Sequence, residues 1–269
     1  MIQAPTFATT EDGARVRFDI HGHGPALVFV HGLGDDGQLW SGIVGKLEND
    51  FTCVVLDLRG HGESSGVEDH EPFGLHRDIH AVLTAARVSA PLLIGHSLGG
   101  IAVTTAAARS PVRGVINVDQ PLDLSGLAAR VKALGKELYT RSPADIYFTV
   151  LGEGGVGPVP PQLVTRLHET RAGLTRRVLL DTWQPLLTDV EELTRTVTRH
   201  VSGISAPYLS LHGSDPGAGY VEQLRRWVPR SSVEVWPEHA HFPHLVDEQR
   251  FVARVRAFWK SAEEQQSSR

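Results

Sequence analysis

Short apolar runs alternate with helix-like stretches along most of the 269-residue chain. Continuous apolar runs with β-branched residues are typical of strands that are buried on both faces of a sheet. The alternation therefore predicts an α/β fold, with a mostly parallel central sheet and helices on both faces. Strands are predicted at residues 26–30, 53–58, 91–94, 112–118, 208–211 and 232–236, and helices at 38–47, 75–87, 98–109, 221–227 and 249–259.

The alternation breaks between residues 121 and 205, where no comparable apolar run occurs. Helical patterns instead cover residues 122–138, 161–174 and 177–198. We predict that residues 1–120 and 206–269 form the core and that residues 121–205 form a helical cap over the sheet.

Two patterns within the predicted cap suggest a ligand site but have simpler interpretations. Residues 152–157 match G-x-G-x-x-G, but prolines follow where a dinucleotide-binding fold needs a helix, so we predict a flexible loop beside the pocket entrance. The arginines of residues 161–200 are nearly balanced by acidic residues, which favours a solvated helix face. These arginines are Arg166, Arg171, Arg176, Arg177, Arg195 and Arg199.

Composition and charge do not add to the predicted fold, but they exclude two classes of protein. The net charge of −5 lacks the basic excess of a nucleic-acid-binding surface. No apolar run approaches the roughly 18 residues that a membrane span requires. Residues 1–10 have no basic region followed by an apolar stretch, which predicts a cytoplasmic protein. The expected partner is a small-molecule substrate. Nothing in the sequence indicates an oligomeric state.

A candidate nucleophile lies in the pentapeptide Gly95-His96-Ser97-Leu98-Gly99. The motif G-x-S-x-G is weak by itself, but here it follows a predicted strand and opens a predicted helix. That setting is the one a nucleophile elbow needs, because small neighbours leave room for a strained serine backbone. A serine hydroxyl also requires an adjacent base and donors for the developing oxyanion.

The oxyanion donors are predicted from two turns. The dipeptide His31-Gly32 ends an apolar strand, where backbone N–H groups can point at a carbonyl oxygen. We predict that the N–H groups of Leu33 and Leu98 form the oxyanion hole. The ring of His31 is expected to hold its loop rather than to transfer protons.

The candidate base lies after the last predicted strand, where His239, His241 and His244 occur within six residues. A base on this loop can reach the elbow because parallel strands end on one side of the sheet. A zinc site is the alternative interpretation of these histidines, together with His21 and His23. It is disfavoured because no carboxylate lies between them, so no metal or other cofactor is expected.

These motifs, in this order, resemble the α/β-hydrolase superfamily over nearly the whole chain. The matching segments are His31-Gly32, residues 57–64, Gly95 to Gly100 and residues 241–245. The resemblance implies an α/β-hydrolase fold with the cap inserted after the sixth strand. It selects His241 as the base, since a histidine followed by an aromatic residue holds that role in the family. Ser97 at the elbow disfavours the epoxide hydrolases and haloalkane dehalogenases, which use aspartate.

The triad acid departs from the family pattern. Family members usually carry it in a G-x-x-D turn after the seventh strand, and here Gly213-Ser214-Asp215 is one residue shorter. Some members use an acid after the sixth strand, where Asp119 stands. The acid must accept a hydrogen bond from the imidazole. We prefer Asp215, with Asp119 as the alternative.

The predicted reaction is hydrolysis of a carboxylic ester or lactone through an acyl-enzyme, without a cofactor. The same elbow also occurs in carbon–carbon bond hydrolases and cofactor-free perhydrolases, and a non-catalytic small-molecule receptor keeps the same fold. The sequence does not separate these alternatives. Five aromatic residues are predicted to contact the substrate: Trp40, Tyr139, Tyr147, Phe148 and Trp183. The alternative interpretation of each is packing in the core, because aromatic residues at helical spacing usually pack there.

Overall fold

The computed structural model describes residues 5–65 and 69–267. Residues 1–4, on which the expected location in the cell partly depends, lie outside this part of the chain. An eight-stranded sheet has the order β1-β2-β4-β3-β5-β6-β7-β8. The strands are β1 (Thr6–Thr9), β2 (Arg15–His21), β3 (Ala26–Val30), β4 (Thr52–Leu56), β5 (Leu92–His96), β6 (Gly114–Val118), β7 (Tyr208–His212) and β8 (Ser231–Val235).

The sheet is parallel from β4 to β8, and β2 joins β1 and β4 in antiparallel pairing. The predicted α/β fold with a mostly parallel central sheet is therefore confirmed. The sequence pattern missed β1 and β2, because β1 is only four residues long and β2 alternates between polar and apolar residues, so neither forms a continuous apolar run. In the parallel part, the carboxyl ends of β3, β5, β6 and β7 meet at one edge.

Alternate residues of each parallel strand enter two hydrophobic cores. Val28 and Val30 pack in one core, whereas Leu27 and Phe29 pack in the other. This follows from the two-residue period of a strand, and it explains why the central strands are apolar throughout. The helices packed around the sheet are α1 (Ser41–Leu47), α2 (His76–Ala85), α3 (Leu98–Ala107), α10 (Tyr220–Trp227), α11 (Pro243–Val246) and α12 (Glu248–Ser267).

The chain between β6 and β7 is helical and contains no strand. The helix predicted over residues 122–138 is divided into Ser125–Ala133 and Glu137–Thr140, with Gly135 at positive φ between them, and a further helix begins at Pro143. Similarly, Pro185 and the capping residue Asp189 interrupt the helix predicted over residues 177–198. The helices are α4 (Ser125–Ala133), α5 (Glu137–Thr140), α6 (Pro143–Leu151), α7 (Pro161–Ala172), α8 (Arg176–Trp183) and α9 (Val190–Val201).

This helical segment shares its apolar packing with the sheet. Leu174 and Trp183 belong to one of the two cores, and Leu167 belongs to the other. Across the described residues, no helix is both long enough and apolar enough to span a membrane.

Candidate active site

Ser97 lies at a sharp turn between β5 and α3. Its backbone has φ 51° and ψ −119°, a conformation that is rare for a residue with a side chain. Two neighbouring glycines make the turn possible: a Cβ on Gly95 would lie 2.2 Å from the carbonyl oxygen of Gly99, and a Cβ on Gly99 would lie 2.4 Å from that of Val30. The local sequence therefore forms the strained strand-turn-helix unit, and Ser97 is half-buried at the wall of a cavity.

His241 lies in the loop between β8 and α11, beside the same cavity. Its Nδ1 is 2.7 Å from Oδ2 of Asp119, which directly follows β6. A carboxylate only accepts hydrogen bonds, so Nδ1 carries the proton and Nε2 is left as the basic atom. The other oxygen of Asp119 accepts the N–H of Gly213 at 2.9 Å. Asp119 is thus fixed from both sides.

Asp215, the acid preferred from the sequence, also lines the cavity but makes no hydrogen bond or ion pair with His241 within the described residues. Its side chain accepts the N–H of Gly217 at 2.9 Å and is exposed to solvent. The shortened turn after β7 closes on itself, as Asp-Pro turns commonly do. The geometry therefore corrects the preference: the carboxylate paired with His241 is the alternative, Asp119.

The two predicted oxyanion donors both line the cavity beside Ser97. Leu98 is the first residue of α3, where a backbone N–H has no acceptor within the helix. Leu33 follows Gly32, whose Cβ, if it had one, would lie 3.2 Å from the Cβ of Ser97. Neither N–H donates to another backbone group of the described residues. His31 holds this loop, since its Nε2 accepts the N–H of Leu58 at 3.0 Å.

A second histidine borders Asp119, and the sequence analysis missed it. His212 ends β7, and its Nδ1 lies 3.9 Å from Oδ1 of Asp119. Burial lowers the pKa of His212 to about 4, so the ring is neutral at neutral pH. Its Nε2 is 2.8 Å from the hydroxyl of Ser210. The available signal was its position at a strand end, directly before the Gly213 turn.

A cavity of about 540 Å³ lies over Ser97, His241 and Asp119. Of the five aromatic residues predicted as contacts, Tyr147 and Trp183 line it. Trp40 is instead buried in the core against Phe29, 5.3 Å between ring centroids. Polar side chains form part of the remaining wall: Gln120, Asp123, Ser125, Arg130, Thr149, Thr182, Ser214 and Asp215. The rest includes apolar side chains that sequence periodicity could not tell from core: Leu33, Phe73, Leu98, Ile101, Leu124, Leu127, Val150, Leu151 and Leu186.

The other two predicted aromatic contacts also lie away from the cavity wall. Tyr139 is 56% exposed on the short helix α5. Phe148 follows Tyr147 on α6 and therefore points in a different direction, stacking on His168 with 4.3 Å between ring centroids. Helical spacing places only one member of such a neighbouring pair against the cavity.

Arg171 departs from the solvated face predicted for the cap arginines. It is wholly buried and pairs with Asp35. The six arginines share a similar sequence setting, so only the tertiary structure separates this one from the rest.

The structure gives no support to the alternative of a metal site. Within residues 5–65 and 69–267, no group of three or more His, Cys, Asp or Glu side chains is arranged to hold a metal ion. The three clustered histidines point to different partners: Nδ1 of His239 contacts the carbonyl of Pro237, and the ring of His244 packs on Trp40.

The sequence profile of the alpha/beta hydrolase family matches residues 27–255. The chain therefore belongs to the α/β hydrolase family. The match includes the turn that carries Ser97, Asp119 after β6 and the loop that carries His241, which meet at the edge of the sheet.

Two curated proteins with assigned activities are similar to most of the chain. The chain is 30% identical over 191 residues to 2-(acetamidomethylene)succinate hydrolase of Mesorhizobium japonicum, covering 63% of this chain and 68% of that protein. It is 26% identical to pyrrolizixenacetamide deacetylase of Xenorhabdus hominickii, covering 91% and 94% of the two chains. Other curated relatives are 39% identical over only 95 residues, and the matched part spans 27% of their length.

Among solved structures, the chain is similar to Est816, described as an N-acyl homoserine lactone degrading enzyme. The TM-score is 0.78 at 19% sequence identity, covering 94% of this chain and 100% of that one. At this identity the likeness establishes the fold alone.

Proposed function

We propose that this protein is a serine hydrolase that cleaves a carboxylic ester or lactone, with Ser97 as nucleophile, His241 as base and Asp119 as acid. The observation that carries the proposal is the 2.7 Å contact between His241 Nδ1 and Asp119 Oδ2, at the cavity that Ser97 also lines. The helical segment between β6 and β7 would act as the cap that closes this cavity.

In the proposed mechanism, Nε2 of His241 takes the proton of Ser97 as Oγ attacks the substrate carbonyl carbon. The N–H groups of Leu33 and Leu98 stabilise the negative oxygen of the tetrahedral intermediate. His241 then returns the proton to the leaving alcohol, and the acyl group stays on Ser97. Water attacks this acyl-enzyme by the same route and releases the acid. Asp119 orients the imidazole and stabilises its charged form.

Amide hydrolysis is the second candidate, because the two relatives described above are named for acetamide compounds. The same residues would serve, with His241 protonating an amine in place of an alcohol. The apolar part of the cavity wall favours small or medium apolar acyl groups in either reaction.

A substrate panel with three variants tests the proposal. We expect turnover of short-chain nitrophenyl esters or lactones, with a nitrophenol burst that reports the acyl-enzyme. Ser97→Ala and Asp119→Asn should each lower kcat by at least about 1,000-fold. Asp215→Asn should stay within about 3-fold, because Asp215 is bound within its own turn.

Three outcomes would redirect the assignment. A larger loss in Asp215→Asn than in Asp119→Asn would contradict the acid assigned here. Faster turnover of nitroacetanilide than of nitrophenyl acetate would favour the amidase. Ligand binding without turnover of any ester, lactone or amide would favour a receptor.

A further inference from the structure

A buried ion pair joins the helical cap to the loop that carries Leu33. Arg171 lies on α7, and Asp35 lies two residues after Leu33. Nη1 of Arg171 is 2.7 Å from Oδ1 of Asp35, and Nη2 donates to Oδ2 at 3.0 Å. Both side chains have 0% exposure. The guanidinium thus lies within ion-pair distance of both carboxylate oxygens and donates a hydrogen bond to Oδ2, whereas the buried Oδ1 has no hydrogen-bond partner among the described residues.

The same guanidinium also contacts the cavity-lining residue Tyr147 and the ring next to His241. It donates to the carbonyl of Leu167 at 3.0 Å and to the hydroxyl of Tyr147 at 3.2 Å. It also lies over the ring of Tyr147, 4.3 Å from the centroid, and 5.5 Å from that of Phe242, the neighbour of His241. Arg171 therefore contacts three parts of the candidate site: the loop of residues 31–36 that carries Leu33, the cavity wall at Tyr147, and the loop of residues 236–242 that carries His241, here called the base loop.

The loop is packed between Arg171 and Ser97 with no spare room. A Cβ on Gly34 would lie 2.9 Å from Cγ of Arg171. On the other side, a Cβ on Gly32 would lie 3.2 Å from both Oδ2 of Asp35 and Cβ of Ser97. A displacement of Asp35 would therefore be transmitted to the backbone that carries the Leu33 N–H.

The ion pair is a costly way to obtain stability alone, because apolar side chains of similar size commonly replace a buried pair without loss. Burial raises the pKa of Asp35, so its negative charge depends on Arg171. Burial would lower the pKa of Arg171, but Asp35 and Tyr147 outweigh it and raise this pKa. Without Arg171, Asp35 would become an uncompensated charge beside the developing oxyanion or take up a proton. Both results disturb the loop.

We propose that Arg171 and Asp35 are positioning residues, through which the docked cap sets the Leu33 N–H in the oxyanion hole. This inference rests on the proposed acyl-transfer function. It assigns to α7 a role in the transition state that is distinct from closing the cavity.

Substitutions separate positioning from simple cross-linking of cap and core. The variants are Arg171→Met, Asp35→Asn and the double variant Arg171→Met with Asp35→Leu. We expect Arg171→Met to lower kcat about 100-fold and to weaken binding of a phenylboronic acid, which forms a tetrahedral adduct with Ser97, by a similar factor. KM should change by less than about 3-fold, because the donors act on the transition state.

The double variant decides between the two roles. It removes both charges and refills the space, so its Tm should return towards that of the unmodified protein while kcat stays low. Recovery of kcat to within about 3-fold of the unmodified enzyme would overturn the proposal, since an apolar contact would then suffice. If Arg171→Met fails to fold, Asp35→Asn and the double variant give the same comparison.

Arg166→Met is the matched control. Arg166 lies on the same helix and pairs with Asp36, the neighbour of Asp35, at 3.1 Å. This pair also joins the cap to the loop, but its side chains are 39% and 23% exposed. Arg166→Met should change kcat and boronic acid affinity by less than about 2-fold. An effect as large as that of Arg171→Met would overturn the distinction.

Hydrogen exchange of the peptide that covers residues 31–36 tests positioning without any substrate. The peptide should exchange faster in Arg171→Met and unchanged in Arg166→Met. If this peptide exchanges at the same rate in Arg171→Met as in the protein without substitutions, the inference is contradicted. If the unmodified protein turns over no ester, lactone or amide, the proposed function fails, and the exchange experiment still decides whether Arg171 holds the loop.

Discussion

His241 is held through its backbone as well as through its ring. Its carbonyl lies 2.7 Å from Nε2 of His96, the residue before Ser97. Burial lowers the pKa of His96 well below its usual value, so the ring is neutral and Nε2 carries its proton. His96 thereby joins the turn that carries Ser97 directly to the loop that carries His241.

A comparison of two buried rings tests this contact. His96→Phe keeps an aromatic ring but leaves the His241 carbonyl without its donor, so we expect a loss of about 1–3 kcal/mol in unfolding free energy and a lower kcat. The control is His244→Phe, whose ring lies 4.6 Å from that of His96 and whose buried Nδ1 has no partner among the described residues. It should lose less than about 1 kcal/mol at pH 7.5. Equal losses in urea unfolding would contradict a role for the hydrogen bond.

The sequence predicted the serine and the histidine that the structure places at one cavity, but it preferred Asp215 to Asp119, the carboxylate that contacts His241, for a physical reason. The elbow is encoded locally by Gly95, Ser97 and Gly99, so five adjacent residues specify its geometry. Which carboxylate pairs with His241 depends instead on how the loops after β6, β7 and β8 pack against one another. Asp119 reaches His241 from a backbone with φ 51°, a left-handed conformation that its motif does not reveal.

At the scale of elements, the glycine-rich loop between α6 and α7 forms part of the site. The carbonyl of Gly155 accepts the N–H of His241 at 3.0 Å, and Gly152 and Gly155 line the cavity. The sequence predicted a loop beside the pocket entrance. It contained no signal for the contact with His241, because the two segments are far apart in the chain.

Two glycines of this loop provide a matched test of that contact. Gly154 and Gly157 both have positive φ, of 71° and 77°, so alanine strains either backbone by about 1–2 kcal/mol. Only at Gly157 would the new Cβ meet the base loop, 2.8 Å from the carbonyl oxygen of His239. At Gly154 it would meet nothing within 4 Å. We expect similar losses in Tm, but a kcat loss of about 10-fold or more only in Gly157→Ala. Equal kcat values would show that the base loop tolerates the displacement.

The central strands were predictable because burial on both faces leaves a continuous apolar run. The packing of the helical segment between β6 and β7 could not be predicted, because its helices have ordinary amphipathic patterns. Arg171 is an example: its sequence surroundings resemble those of the half-buried Arg166, yet its side chain lies against the core with no exposure. Such a difference is set by how α7 docks on the loop after β3.

At the scale of the whole molecule, several buried histidines link folding to pH. Burial lowers the pKa of His61 and of His244 to about 3, and that of His212 to about 4. In an unfolded chain these groups titrate near 6.5. Between those values the unfolded chain binds more protons than the folded protein, so stability falls as pH decreases from about 7 towards 4.

We therefore expect the unfolding free energy to fall by at least about 3 kcal/mol between pH 7.5 and pH 5.0, because each such histidine contributes up to about 1.4 kcal/mol per pH unit. Urea unfolding at the two pH values measures this change. His244→Phe removes one of these groups and should reduce the fall by about 2 kcal/mol. His23→Gln, at an exposed position, should leave the fall unchanged. Equal stability at both pH values, or an equal fall in His244→Phe and the unmodified protein, would contradict the linkage. The buried rings near the active site would then be protonated in the folded protein, and His212 would carry a positive charge beside Asp119.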